Sequence, residues 1–505
     1  MMPKEIDKPT VPQLMMDIVD ESCELFHDGD VPYATILGST RKTMAVDGKV
    51  FKRWIARQLY IAYDSTPTDS TLADGIRGIA GKAQFEGADI SVNVRLAGDK
   101  DNVYIDLGDD GYKFVKISKR GWRIIDDAEV RFRRPGGLKA LPHPVGLDVG
   151  DNGSLDRLRE FINCSDDDWV LIVGWLIAAF RPTGPYPILL LSGEQGSAKS
   201  TTARILRSLV DPNSAALRAT PRNEQDLAIA CNNGWVQAFD NLSDVKPWLS
   251  DALCRIATGG GFAARTHYSN DEETLFDFQR PIILTSITDV ASRSDLLDRS
   301  IMVQLNRIPE EARRTEADIN AAFEQARPAI FGGLCNAISA ALRYFEETHI
   351  DELPRMADAA VWVQAAEQAL GWDVGRFNEL YLGNREKADA MAIDGDLLAS
   401  AIKAMMNDIL AFSGTATELV KRLREYVRSD SLQYIPSPRK IKGALTRIAP
   451  NLRRNANIEV DTSRSGSARK IFITRLDDDS DANDDLFTTP RCDTNHSQQK
   501  VELKL

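Results

Sequence analysis

The run GEQGSAKST (Gly193 to Thr201) has the residue types and spacing of a phosphate cradle. Gly193 and Gly196 let backbone N–H groups turn inward, and a helix opening behind them adds its positive dipole end. In such a loop Glu194, Gln195, Ser197, Ala198 and Thr201 complete the wall, Lys199 reaches the β- and γ-phosphates of ATP, and Ser200 offers a hydroxyl to Mg2+. Ala198 stands where GxxxxGK[ST] has its second glycine, which suits alanine if φ there stays below zero. About forty residues downstream, WVQAFDN ends on Asp240, an acid placed to hold Mg2+ at the carboxyl end of a buried strand. The next residue is Asn241 rather than a glutamate, so the base that activates water is open between Asn241, Glu194 and a more distant acid.

Two further segments could complete such a site. PIILTSI (Pro281 to Ile287) carries Thr285 and Ser286 at its polar end, where a γ-phosphate sensor sits, although ordinary strand-end hydroxyls explain them equally well. DLLDRS (Asp295 to Ser300) puts Arg299 just before a further strand. An arginine there can enter a neighbouring subunit's site and stabilise transition-state charge, which requires assembly, most simply into a ring. The alternative is a surface ion pair with Asp295 or Asp298.

These residues need a scaffold, and the apolar pattern supplies one. PILLLS (Pro187 to Ser192), ALRA (Ala216 to Ala219), WVQAF (Trp235 to Phe239), PIILT (Pro281 to Thr285) and IMVQL (Ile301 to Leu305) read as strands apolar on both faces, as in a parallel sheet covered by helices. Upstream, helices are expected around Val11 to Phe26 and Val50 to Tyr63. A meander of ISVNVRLA (Ile90 to Ala97), NVYIDL (Asn102 to Leu107) and YKFVKIS (Tyr112 to Ser118) follows. The Pro- and Gly-rich stretch Arg133 to Gly146 reads as a linker.

The net charge is −12, yet Lys421 to Arg475 holds fourteen Lys and Arg against four acids. Such asymmetry marks an electrostatic footprint for nucleic acid, with a merely solvated basic face as the alternative. Thr415 and Glu418 form a capping box for a helix to about Arg428. Ser437-Pro438 opens a second helix ending at Ala449, and NIEVD and KIFIT form a hairpin with Arg464 at its tip. Helix, helix, hairpin is the order of a winged helix. Its second helix offers Arg439, Lys440, Lys442 and Arg447 to DNA, and its wing offers Arg464, Arg469 and Lys470.

The longest apolar stretch, Trp169 to Phe180, is twelve residues, too short to cross a bilayer. The amino terminus lacks the apolar core of a signal peptide, and the six cysteines include no CxxC pair. No membrane partner, disulfide scaffold or zinc site is expected, and a cytoplasmic location fits. The expected boundaries are an α+β amino-terminal domain at 1–150, an ATPase core at 151–310, a helical region at 311–412, a basic winged helix at 413–476 and an acidic disordered tail at 477–505.

GEQGSAKST, AFDN, CRIATGGGFAAR (Cys254 to Arg265), PIILTSI and DLLDRS, in this order, resemble the ATPase core of superfamily 3-type helicases. The resemblance is to prophage and mobile-element replicative ATPases related to the poxvirus primase-helicase, over roughly Ser154 to Tyr344. It implies an α/β fold: a P-loop, AAA+-like parallel-sheet ATPase core behind an α+β domain and ahead of a winged helix. It also implies a motif presenting basic residues to single-stranded DNA, and TGGGFAARTHYSNDEE (Thr258 to Glu273) occupies that interval, with Arg265, His267 and Tyr268 offering charge and stacking. A purely structural loop is the alternative there. The function so implied is an ATP-dependent, hexameric DNA helicase replicating a phage or integrated element, with single-stranded or forked DNA, its own copies, and a primase or other replication proteins as partners. The alternative is an ATP-regulated DNA-binding initiator, loader or phage-defence switch that does not unwind.

Overall fold

The structure is a computed structural model describing residues 9–38, 40–146, 153–242, 245–260, 262–265, 273–276, 278–286, 294–395, 397–427, 435–465 and 468–476. The chain divides into two compact units, Met1–Gly395 and Asp396–Leu505. The helical region expected at 311–412 is therefore shared between them, and the tail expected at 477–505 lies outside the described residues.

At the centre of the first unit are four parallel strands: β1 (Ile188–Ser192), β2 (Gln237–Leu242), β3 (Ile282–Ser286) and β4 (Ser300–Gln304). They lie in the order β2-β3-β1-β4, with Leu191 opposite both Thr285 and Val303. Their side chains are mostly buried, the pattern expected when helices cover both faces. One covering helix, Asp166–Ala179, is capped by Ser165, whose hydroxyl accepts from the Asp168 N–H at 3.1 Å. Three acids in its first turn favour the positive end of its dipole. The twelve-residue apolar stretch thus becomes an interior helix. Among the described residues no helix is long and apolar enough to cross a membrane.

ALRA is not a strand. It contributes one isolated bridge, Arg218 to Phe239. The Arg207 guanidinium takes the carbonyls of Ala215 and Ala216 at 2.6 and 2.8 Å, removing them from any ladder.

The helix expected over Val11 to Phe26 ends at Ser22, and Cys23–Asp28 turns back as a strand against Val31–Ile36. The helix Lys49–Tyr63 forms as expected. The meander is also present, but its first strand is cut: Val92–Asn93 and Leu96–Gly98 are separated by Arg95 at φ 65°. That left-handed turn drives Arg95 inward, where it is fully buried. Its Nε donates to Asp211 Oδ1 at 3.1 Å, and its other nitrogens donate to the carbonyls of Asp106 and Lys139. Asp211 Oδ2 in turn accepts the N–H groups of Trp235 and Val236. Leu96, Val103 and Ile117 of the meander share one apolar core with Trp175, Leu191 and Leu334. The boundary expected at 150 is thereby corrected, because the meander packs as part of the sheet domain.

The second unit runs helix Leu397–Asp408, strand Ala411–Gly414, helix Ala416–Leu423, helix Ile441–Ala456 and hairpin Ile458–Ser465 with Ala468–Arg475. The three strands form an antiparallel sheet with the last one central. The Thr415–Glu418 capping box is made. The strand at Ala411–Gly414 was not anticipated. The helix expected to stop at Ala449 continues through Pro450, because buried Ile441, Leu445, Ile448 and Leu452 form a stripe that outweighs one lost hydrogen bond.

Arg95 and Asp211 have side chains 0% and 1% exposed, so removing one partner strands a buried charge. Asp211→Ala is expected to destabilise the chain by about 3–5 kcal/mol in denaturant unfolding. An unchanged midpoint would show that the pair does not fasten the meander to the sheet.

Candidate functional site

All parallel strands end on one side, and there the loop Gly193–Ala198 joins β1 to α1 (Lys199–Val210). Gly193 has φ 150°, and a methyl group on it would meet Ser197 Oγ at 2.6 Å and the Leu305 carbonyl at 2.7 Å. Glycine is required by that crowding as much as by its backbone. Ala198 has φ 61° and ψ 30°. The expectation of a negative φ is thus corrected: alanine occupies the left-handed region that glycine takes without cost, and such strain concentrates at functional loops.

The Lys199 ammonium lies over the loop, donating to the carbonyls of Gly193 and Glu194 at 2.7 and 2.9 Å. Partial burial pulls its pKa below the ordinary lysine value, and the Asp240 carboxylate opposes that shift. Glu194, Gln195 and Gly196 are exposed along the rim, Ser197 is buried, and Thr201 is half-buried.

Asp240 reaches α1 because its strand is irregular. The pairing of β2 with β3 shifts register between Phe239 and Leu242, and Asn241 sits at φ 56°. A bulge of this kind re-aims side chains, and asparagine tolerates the left-handed region better than most residues. Ser200 Oγ donates to Asp240 Oδ1 at 2.8 Å. Thr285 Oγ1 donates to the same oxygen and accepts the Asn241 N–H at 2.9 Å. Lys199, Ser200, Asp240, Asn241 and Thr285, distant in sequence, are thus drawn together. Ser286 differs, since its hydroxyl donates back to the Leu242 carbonyl at 3.1 Å.

Arg299 is not at this loop. The Ile188 N–H donates to its carbonyl at 2.9 Å, which places it at the start of β1, about 13 Å along the strand from the loop. Its Nη1 donates to the Asp295 carbonyl at 2.7 Å. Asp298 instead meets Arg385 at 2.6 Å.

Sequence reasoning missed Arg313. A methyl group on Gly196 would lie 3.7 Å from Arg313 Nη2, so a second cation stands at the mouth of the loop. No motif marks it, and only the return of the chain past β4 brings it there.

The candidate nucleic-acid residues are placed less completely. Arg265 ends strand Phe262–Arg265, paired with Glu273–Phe276 and opposite Glu273. His267 and Tyr268 lie outside the described residues. Arg439, Lys440, Lys442 and Lys470 are exposed. Arg464 and Arg469 are backbone register partners across the hairpin, and Arg447 lies on the helix Ile441–Ala456. Arg453, exposed one turn beyond Pro450, joins the basic helix because that helix does not stop where expected.

Residues 154–376 match the family model of the actinomycete integrative conjugative element replication protein, and residues 398–486 match that of the AICE RepA C-terminal domain. No curated protein matches the chain. Among solved structures, the chain is similar to the A-form apo structure of the NrS-1 C-terminal region, with 10% identity, TM-score 0.40, and 93% of this chain and 100% of that one covered. A second A-form apo structure of that region gives 9% identity, TM-score 0.35, and coverage of 92% and 100%. Likeness this remote adds no argument about activity.

Replacing Ala198 by glycine relieves the left-handed strain at the cost of a floppier unfolded chain. Ala198→Gly is expected to raise stability by about 0.5–1 kcal/mol in denaturant titration. A loss of stability would mean that this turn is not left-handed in solution.

Proposed function

From the premise that two regions, together more than half of this chain, carry the signature of an actinomycete integrative conjugative element replication protein, we propose that it is an ATP-hydrolysing DNA helicase replicating that element. The observation that carries this reading is the convergence of Ser200 and Thr285 on Asp240 Oδ1 beside the Lys199 ammonium. We read the loop as a P-loop in an AAA+-like core and the second unit as a winged helix.

The residues fit a nucleotide and its metal. The crowding at Gly193 leaves no room for a side chain, and the Lys199 ammonium rests on loop carbonyls from which phosphate oxygens would draw it. Ser200 and Asp240 would hold magnesium. Such an ion would take its remaining ligands from phosphate and water. Bound magnesium would supply charge neutralisation across the phosphates.

In this reading Lys199 neutralises charge at the β- and γ-phosphates, and Arg313 adds a second positive charge at the loop mouth. Thr285, through the Asn241 N–H and the Asp240 carboxylate, reports on the loop's occupancy to the strand ends. Arg299, remote from its own loop, serves the site of the next subunit in a hexameric ring. The basic surface of the second unit grips forked DNA through phosphates, with Arg439, Lys440 and Lys442 at the helix start and Lys470 on the wing. The hairpin carrying Arg265 faces single-stranded DNA.

Two observations favour the non-unwinding initiator or switch instead. Asn241 replaces the usual acid, and the Thr285 hydroxyl is already engaged by Asp240. Strand displacement on a forked substrate separates the two: displacement selects the motor, whereas ATP-dependent binding alone selects the switch.

Lys199→Ala is expected to abolish ATP hydrolysis while leaving the fold intact, and retained turnover would show the loop misread. Arg299→Ala should lose about a thousandfold in turnover and regain part of it when mixed with Lys199→Ala chains. Failure of that mixing places the arginine outside the neighbour's site.

For DNA, log affinity should fall linearly with log salt, and Lys442→Ala should flatten the duplex slope by about 0.9. An unchanged slope removes Lys442 from the phosphate contacts.

A further inference from the structure

A cavity of about 260 Å3 opens on the flank of α1, away from Lys199. Thr201, Ile205 and Ser208 form its floor at helical spacing, and Lys139, Arg204, Arg207 and Arg327 line it with Glu324 as the acid among them. Arg327 Nη1 is paired with Glu324 at 3.0 Å, and Arg204 reaches out to Glu316 at 2.9 Å. The positive charges left over are those of Lys139, which is exposed, and of Arg207.

Arg207 is 1% exposed. Its Nη1 serves the carbonyls of Ala215 and Ala216, but Nε and Nη2 are buried and make no hydrogen bond among the described residues. The Nε of Arg327 is buried and unmatched in the same way. The carboxylate that attracts Arg207, Asp211, is held by Arg95 and by the N–H groups of Trp235 and Val236. Burial pushes the Arg207 pKa down to about 10, so it remains charged at neutral pH. A buried guanidinium with idle donors is costly to desolvate unless an anion answers it.

We propose that this cavity is a second anion site, which takes the terminal phosphoryl group of a small phosphorylated molecule beside, and distinct from, the P-loop. Guanidinium donors recognise phosphoryl oxygens in fork geometry. A terminal phosphoryl group, joined to its carrier on one side only, suits a cavity of this size with Lys139 and Arg204 exposed in its lining, whereas an internal DNA phosphodiester has chain leaving on both sides. The base of a nucleotide held by Lys199 would not answer this charge, because that ligand's phosphates stay at the loop. An occupant would lie along α1, the helix that carries Lys199 and Ser200. The inference stands apart from the proposed ATPase activity.

The probe is inorganic pyrophosphate, titrated by calorimetry into the full chain carrying Lys199→Ala. Binding is expected to survive in that background and to weaken at least tenfold with Lys139→Ala and Arg204→Ala together, two exposed positions whose loss leaves the fold intact. Arg207→Met should remove it, with circular dichroism confirming folding. Excess duplex oligonucleotide should leave pyrophosphate bound. Absence of binding, binding indifferent to Lys139 and Arg204, or displacement by the duplex would each overturn the proposal. If the wild-type and Lys199→Ala chains bind ATP equally, the P-loop reading fails while this one stands.

Discussion

One carboxylate oxygen, Asp240 Oδ1, receives hydroxyl groups from α1 and from β3, and the rest of the candidate site is arranged around that meeting. Two hydroxyls donating to one oxygen fix its direction. The sheet delivers Thr285, the first turn of α1 delivers Ser200, and the bulge in β2 delivers the acid itself. Each contribution requires the strands to be parallel and to end together, so the site depends on the sheet order β2-β3-β1-β4.

Around this centre the backbone departs from its preferred conformations at two non-glycine positions, Ala198 and Asn241, both in the left-handed region. Such conformations persist only where surrounding contacts over-determine them. The Asn241 N–H is tied to Thr285, and the residue after Ala198, Lys199, is anchored by its ammonium on the loop carbonyls. The same principle acts at Arg95, whose inverted backbone is held by Asp211 and three carbonyls. Three of the unit's five described non-glycine residues at positive φ thus fall at two fastenings: the loop, and the joint between the meander and the sheet.

The second unit solves a different problem. Its apolar stripe, Ile441 to Leu452, buries one side of a helix and leaves Lys442 and Thr446 outward, so the basic charge lies where water and polyanions can reach it. An acidic chain can carry such a surface because helical periodicity, rather than average composition, decides which residues face out. The family matches over 154–376 and 398–486 fall on the sheet-bearing region and on this unit, respectively.

Much of this was legible in the sequence. The strand–loop–helix order around Gly193 to Thr201, four of the five apolar strands, the capping box at Thr415 and the basic hairpin are local patterns, and each survives folding because its periodicity or turn chemistry is self-contained. Illegible were the features that depend on distant partners: ALRA lost its strand to the Arg207 guanidinium, and Arg95 left its strand to meet an aspartate 116 positions away. The helix through Pro450 outran its stop signal because packing outweighed one missing hydrogen bond. The residue types able to bind a phosphate were set by the order of amino acids alone. Which hydroxyl meets the carboxylate, that Arg313 stands at the loop, and that Arg299 stands far from it were decided only in three dimensions, because hydrogen bonds and buried charges act over a few ångströms of space and are blind to separation along the chain.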